Sequence, residues 1–226
     1  AREAYRIMVD IDKAELDKPT LDIHMKIHSD AKLFLTCMLK EIGDEKLEKK
    51  DKWISWCDKV RTNLPSILED NPVNQEFVNS YSFADNLFKL LNKGDLVVTG
   101  NGTAYTSTFQ IMHINKGVRV FANQACASMG YDIPAAIGAS IAGNKSPVIL
   151  ITGDGSIQMN IQELQTIVHY QLPIKIFVLN NDGYLAQRKT QDTYFEGFYV
   201  GSESGSGVSC PDICRIADAY GIKTFK

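Results

Sequence analysis

Residues Val148–Gly183 read VILITGDGSIQMNIQELQTIVHYQLPIKIFVLNNDG, and the periodicity of this stretch decides the fold. A β-branched apolar run opens it and breaks at Gly153-Asp154-Gly155-Ser156. Apolar residues then recur at Ile157, Ile161, Leu164, Ile167 and Val168, the spacing of one amphipathic helix. A second apolar run, Ile174 to Leu179, closes on Asn180-Asn181-Asp182-Gly183. Two buried strands joined by a helix form a parallel βαβ unit.

A right-handed crossover returns the chain to the same edge of its sheet, so Asp154 and Asn181 both follow the carboxyl end of a strand. Open α/β sheets bind ligands at that edge, and neighbouring strands lie about 5 Å apart, so one hard cation can touch both side chains. Asp brings charge and Asn a neutral oxygen. Mg²⁺ takes one or two protein carboxylates and completes its shell with phosphate oxygens and water. Gly155 lets backbone N–H groups approach an anion, and Ser156 opens the following helix, whose N-terminus attracts phosphate. Gly-Asp-Gly after a strand is also an ordinary tight turn, but a turn alone does not require Asn-Asn-Asp-Gly at the end of the next strand.

These residues, GDG followed by a helix, a strand and NN, resemble the diphosphate-binding motif of thiamine diphosphate enzymes. The resemblance implies thiamine diphosphate as cofactor and Mg²⁺ held by Asp154, Asn181 and the backbone carbonyl of Gly183. The closer likeness is to the acetolactate synthase and pyruvate decarboxylase branch, and it covers most of the chain. It implies an α/β fold with a doubly wound, mostly parallel sheet. It also implies decarboxylation or carboligation of a small 2-keto acid, such as pyruvate to 2-acetolactate, or decarboxylation with another specificity.

Composition fits that class. The chain has 226 residues, 44% hydrophobic and 23% charged, with a net charge of −3. No basic surface or nucleic-acid-binding motif argues for a nucleic-acid partner, and no apolar run is long enough for a membrane helix. Ala1-Arg2-Glu3 begins no signal peptide, so a cytoplasmic enzyme is the default. Cysteines 37, 57, 126, 210 and 214 form no Cys-x-x-Cys pair, which suggests free thiols; Cys210 and Cys214 could share a helix face.

Tyr5 to Asp12 reads as a parallel strand, and Asp30 caps a helix running to Leu39. By resemblance, residues 1–40 are the tail of a middle domain, 41–78 a charged connector and linker, and 79–226 a diphosphate-binding domain truncated at its end. His24 and His28 are spaced to share a helix face, with surface or packing roles favoured. Asn63 to Asn74, with Pro65 and Pro72, reads as the linker. Ser82 then caps a helix with Phe83, Leu87, Leu90 and Leu91 inside.

Leu96 to Thr99 is a strand ending in Gly100-Asn101-Gly102-Thr103. The family's equivalent loop touches the diphosphate, which implicates Gly102 and Thr103; Ala104 stands where acetolactate synthases usually offer an imidazole. After a strand at Val118 to Ala122 comes the turn holding Ala127, Ser128, Met129 and Gly130, then a small-residue helix from Pro134. Met129 on its own reads as core filling. The resemblance instead implies that Met129 props the cofactor in a bent form and that the carbonyl of Ala127 meets its aminopyrimidine.

Past Asn181, pyruvate decarboxylases place a catalytic Glu where this chain has Gln187, an amide that cannot donate the proton needed for aldehyde release. Arg188 and Lys189 read as exposed helix charges, or as a binding site for an anionic substrate. The Gly/Ser tract 201–209 suits a mobile lid or a flexible loop. Cys210-Pro211-Asp212 opens a last helix, and Ile222 to Phe225 starts one more strand. By resemblance both ends look cut, the activating Glu comes from a pyrimidine-binding domain of a partner subunit in a homo-oligomer, and the fragment alone is inactive. A nicotinamide Rossmann reading lacks the third glycine after Gly100-Asn101-Gly102, and no P-loop Gly-Lys-Ser/Thr occurs. A regulatory module that keeps the fold without the chemistry does not require both Asp154 and Asn181.

Overall fold

The computed structural model describes residues 3–45, 48–65, 67, 77–115 and 117–226. Ala1 and Arg2, where the signal-peptide reading begins, and most of the Asn63–Asn74 linker lie outside the described residues. Contacts divide the chain into two compact units, Ala1–Asn63 and Leu64–Lys226.

In the first unit β1 (Ile7–Asp10) is followed by α1 (Lys13–Leu16), β2 (Met25–His28), α2 (Ala31–Ile42) and α3 (Asp51–Asn63). β1 and β2 pair in parallel, from Ile7 opposite Met25 to Asp10 opposite His28. Asp30 caps α2 as expected, accepting from the Leu33 amide at 3.0 Å. The two histidines lie not on a helix but at β2, because the chain there is extended. His24 Nδ1 accepts from the Arg6 amide at 3.1 Å, and His28 Nε2 bonds the Ile11 carbonyl at 2.8 Å. Both are exposed, in surface roles with backbone hydrogen bonds.

The second unit runs α4 (Ser80–Lys89), β3 (Leu96–Thr99), α5 (Gly102–Ile111), β4 (Arg119–Phe121), α6 (Asp132–Ala142), β5 (Val148–Gly153), α7 (Asp154–Ile157), a 3₁₀ segment (Gln158–Glu163), α8 (Leu164–Tyr170), β6 (Ile174–Leu179), α9 (Leu185–Tyr194), a 3₁₀ turn (Ser204–Ser206) and α10 (Ile213–Ala219). Its four strands are all parallel in the order β4-β3-β5-β6. Side chains alternate across a sheet, and here each face meets its own core. Val98, Val148 and Leu150 pack with α6, α8 and α10, whereas Val97, Ile149 and Ile151 pack with α4 and α5. The sheet is therefore doubly wound, and β5, covered on both sides, needs the unbroken apolar run that its sequence shows.

Four further local readings change. Leu90, expected inside, is 76% exposed just past the end of α4. Asn79, not Ser82, caps α4: its backbone is extended while Ser82 is already helical, and its Oδ1 accepts from the Tyr81 and Ser82 amides at 2.9 and 3.3 Å. The single crossover helix is broken at Asn160 (φ −137°, ψ 35°), whose Nδ2 turns aside to donate to the Gly130 carbonyl at 2.7 Å. Ile222 to Phe225 forms no strand among the described residues. Instead the Ile222 amide closes α10 onto the Ala217 carbonyl at 2.9 Å, and its side chain packs on the core.

Leu150, fully buried in the central strand, tests the two-faced core. Leu150→Ala should cost about 3 kcal/mol in urea unfolding, the loss of a packed aliphatic side chain with little room to collapse. A cost under about 1 kcal/mol contradicts that packing.

Candidate functional site

From β3 the chain crosses one face of the sheet through α5 to reach β4, then returns across the other face through α6 to β5. The loops after β3 and β5 therefore diverge, and open sheets leave a ligand crevice at such a switch point. A cavity of about 420 Å³ lies there. It brings together the nine residues that the sequence marked for cofactor or metal, Gly102, Thr103, Ala127, Met129, Asp154, Gly155, Ser156, Asn181 and Gly183, but not Arg188 or Lys189. Asn101, Tyr184 and Gln187 join them.

One corner is rich in oxygen. Asp154, 1% exposed, accepts on Oδ2 from the amides of Asn181 (3.3 Å) and Gly183 (3.0 Å), and on Oδ1 from Gly155 (3.0 Å). The Arg188 guanidinium donates to the carbonyls of Asn181 at 2.6 Å and Asp182 at 2.7 Å. Apart from the exposed Asp182 carboxylate, two oxygens of this turn stay without a donor among the described residues. They are the buried Oδ1 of Asn181 and the carbonyl of Gly183. An unpaired buried acceptor costs about 1–3 kcal/mol, and a cation between these groups removes that cost. No three His, Cys, Asp or Glu side chains gather as a metal cluster among the described residues, so the donors on offer are one carboxylate, one amide oxygen and one carbonyl. That is a set for a hard cation.

The opposite wall suits an anion. Asn101 holds the N-cap position of α5 but makes no cap bond, because its Nδ2 donates instead to the Ala127 carbonyl at 2.8 Å. The first-turn amides of α5, from Gly102 to Ala104, thus border the cavity uncapped, with the positive end of the helix dipole behind them. The half-buried Thr103 lies in this turn, while Ala104 is 1% exposed and belongs to the core beneath.

Gly155 and Ser156 are placed differently from their sequence reading. The Gly155 amide is held by Asp154, and a Cβ there would lie 2.5 Å from Tyr184 Cε1, so ring packing demands this glycine. The Ser156 hydroxyl turns inward, donating to Asp132 Oδ2 at 3.0 Å and accepting from the Gly130 amide at 3.0 Å. Asp132, fully buried and also bonded by the Thr152 hydroxyl, was not foreseen; nothing in the local pattern marks it, since it lies in the first turn of an apolar helix. The same chain of bonds holds the third wall. Met129 is 38% exposed and borders the cavity, so it does not fill the core, and Ala127 is held at φ 46°.

Beyond the turn, Gln187 borders the cavity and Lys189 is exposed. Arg188 is not an exposed helix charge, being spent on backbone carbonyls. The Gly/Ser tract is a folded turn: Ser202 is fully buried, its carbonyl accepts from the Tyr184 amide at 2.9 Å, and Glu203 and Ser206 cap each other. Cys210 accepts from Gln158 Nε2 at 3.2 Å. Burial, and then the nearby Asp154 carboxylate, hold its thiol above the ordinary value.

Residues 100–226 match the family model for the thiamine pyrophosphate enzyme, C-terminal TPP binding domain. The chain is similar to the acetolactate synthase large subunit of Cyanidium caldarium, 34% identical over all of this chain and 38% of the relative. It is 32% identical to that of Buchnera aphidicola subsp. Schizaphis graminum, over 94% of this chain and 36% of the relative. The acetolactate synthase isozyme 3 large subunit of Escherichia coli K12 is 30% identical over 94% of this chain and 37% of the relative. The chain thus spans between 36% and 38% of the length of these relatives.

Gly183 (φ 109°) tests the closeness of the turn, since a Cβ there would come 2.7 Å from the Ser202 carbonyl oxygen. At Gly207 (φ 99°) a Cβ would meet nothing within 4 Å. Both Ala variants carry left-handed strain of about 1–3 kcal/mol, and Gly183→Ala should cost clearly more than Gly207→Ala in denaturant unfolding. Equal costs contradict the close approach.

Proposed function

The chain belongs to the thiamine pyrophosphate enzymes, through their C-terminal TPP binding domain, and on that premise we propose that its switch-point cavity binds thiamine diphosphate through Mg²⁺ for acetolactate synthase-like chemistry on a 2-keto acid. The observation that carries this reading is a pairing of opposites across one cavity. On one side are Asp154 and two donorless oxygens, Asn181 Oδ1 and the Gly183 carbonyl; on the other is the uncapped N-terminus of α5. Such a pair would suit a diphosphate with its cation: Asp154, Asn181 and Gly183 would hold Mg²⁺, and the α5 amides would receive phosphate oxygens.

In this proposal Asp154, Asn181 and Gly183 hold the metal, and Gly102 and Thr103 with the α5 amides receive the phosphates. Met129 and the Ala127 carbonyl support the organic part. Bound there, thiamine diphosphate supplies the carbon nucleophile and electron sink for decarboxylating a 2-keto acid. Gln187, at the rim, is a neutral amide and cannot deliver a proton to a departing aldehyde, which favours ligation to a second carbonyl compound. The residues 1–40 are, on the same reading, the tail of a middle domain. The group that activates the cofactor comes from a pyrimidine-binding domain of a partner subunit in a homo-oligomer, in the cytoplasm, and this chain alone binds without turnover.

Calorimetric titration of the protein with thiamine diphosphate checks the reading. Binding heat should appear with Mg²⁺, vanish with EDTA, and be lost in Asp154→Ala. Heat that survives both EDTA and Asp154→Ala sinks the proposal.

A further inference from the structure

We infer that Arg188 is the positioning residue of the metal-binding turn: its guanidinium occupies the two carbonyls that should not bind metal, and so selects the oxygens that do. The inference rests on the reading of Asp154, Asn181 and Gly183 as the metal site, and concerns a residue outside that set.

The turn 181–183 offers three carbonyl oxygens and Asn181 Oδ1, besides the carboxylate of Asp182, which is exposed and does not line the cavity. Its backbone is strained at Asp182, φ 58°, while Gly183 at φ 109° takes a conformation open to glycine. A non-glycine residue at positive φ persists only where its surroundings fix it. Two groups do so here. Asp154 draws in the amides of Asn181 and Gly183, at 3.3 and 3.0 Å. From the other side Arg188 Nη2 takes the Asn181 carbonyl at 2.6 Å, and Nη1 takes that of Asp182 at 2.7 Å. The carbonyls of residues 181 and 182 therefore point towards α9, leaving that of Gly183 and the Asn181 side chain without a donor.

The fork does one thing more. Arg188 Nη1 also reaches the Ser202 carbonyl at 3.1 Å, the oxygen that the Tyr184 amide holds at 2.9 Å. One planar cation thus ties the metal turn to the start of α9 and to the buried 3₁₀ turn at Ser204–Ser206. A lysine cannot replace it. An ammonium is a compact point charge, whereas these three carbonyls are met by two nitrogens of a rigid plane. Groups that orient a ligand without touching the metal typically change metal affinity by roughly 10- to 100-fold.

The test uses Mn²⁺ as a spectroscopic stand-in for Mg²⁺, titrated with thiamine diphosphate present and followed by electron paramagnetic resonance, in the parent protein, Arg188→Lys and Arg188→Ala. Thermal unfolding of each is recorded without metal. Half-saturation should rise roughly 10- to 100-fold in Arg188→Lys and at least as far in Arg188→Ala, with metal-free midpoints close to the parent's. Millimolar ethylguanidinium should restore part of the affinity of Arg188→Ala. Parent-like metal binding in both variants overturns the inference and leaves the metal site standing. Loss of cooperative unfolding in both also overturns it, because Arg188 is then a determinant of the fold. A parent protein that binds no Mn²⁺ with thiamine diphosphate overturns the metal site and this inference together.

Discussion

The Asp154 carboxylate ties the end of β5 to the turn after β6 by accepting the amides of Asn181 and Gly183. A carboxylate that is 1% exposed is costly unless hydrogen bonds replace its water, and here three backbone amides do so. The bonds hold only if the two strands run parallel, adjacent and in register, with Gly153 beside Leu179. The position of the cavity, the strain at Asp182 and the orientation of the turn carbonyls all follow from that register.

The sheet meets this demand by burying both faces of its central strands. Val97, Val98, Leu150 and Ile151 are all fully buried, and small residues such as Ala136 let α6 lie close against β3 and β5. The rigid sheet then carries turns that are polar and partly strained. The polar cost is met by pairwise use of groups: Ser156 with Asp132 and Gly130, Asn101 with Ala127, Arg188 with the carbonyls beyond β6.

What could be read from the sequence divides along physical lines. The apolar runs of β5 and β6 and the polar residues that end them were legible, because periodicity and register along one βαβ unit are local matters. The shared edge of Asp154 and Asn181 was legible in the same way, whereas Gly102, Thr103, Ala127 and Met129, on other strands' turns, were reached only through the resemblance. Positions set by distant partners were not legible. Asn160 breaks its helix to reach Gly130, thirty positions earlier. Arg188 looks like a surface charge until Ser202 and the 181–183 turn come round to it. The Gly/Ser tract looks loose by composition, yet Ser202 is sealed by Tyr184 and Gln191. Asp132 had no signal at all, since a buried carboxylate in an apolar helix is explained only by Thr152 and Ser156 across the sheet.

The cavity takes its walls from residues 101–104, 127–129, 153–156 and 181–187, four segments far apart in the chain. Each parallel crossover must close before its ladder rewards it, so these segments assemble only as the whole sheet does. A partly folded chain without β6 has Asp154 and its Gly155 amide but neither the Asn181 nor the Gly183 amide, and one without β3 has no α5 terminus. Occupancy of this cavity is consequently a reporter of completed folding, and a ligand that binds only there stabilises the final state by mass action without guiding the steps that lead to it.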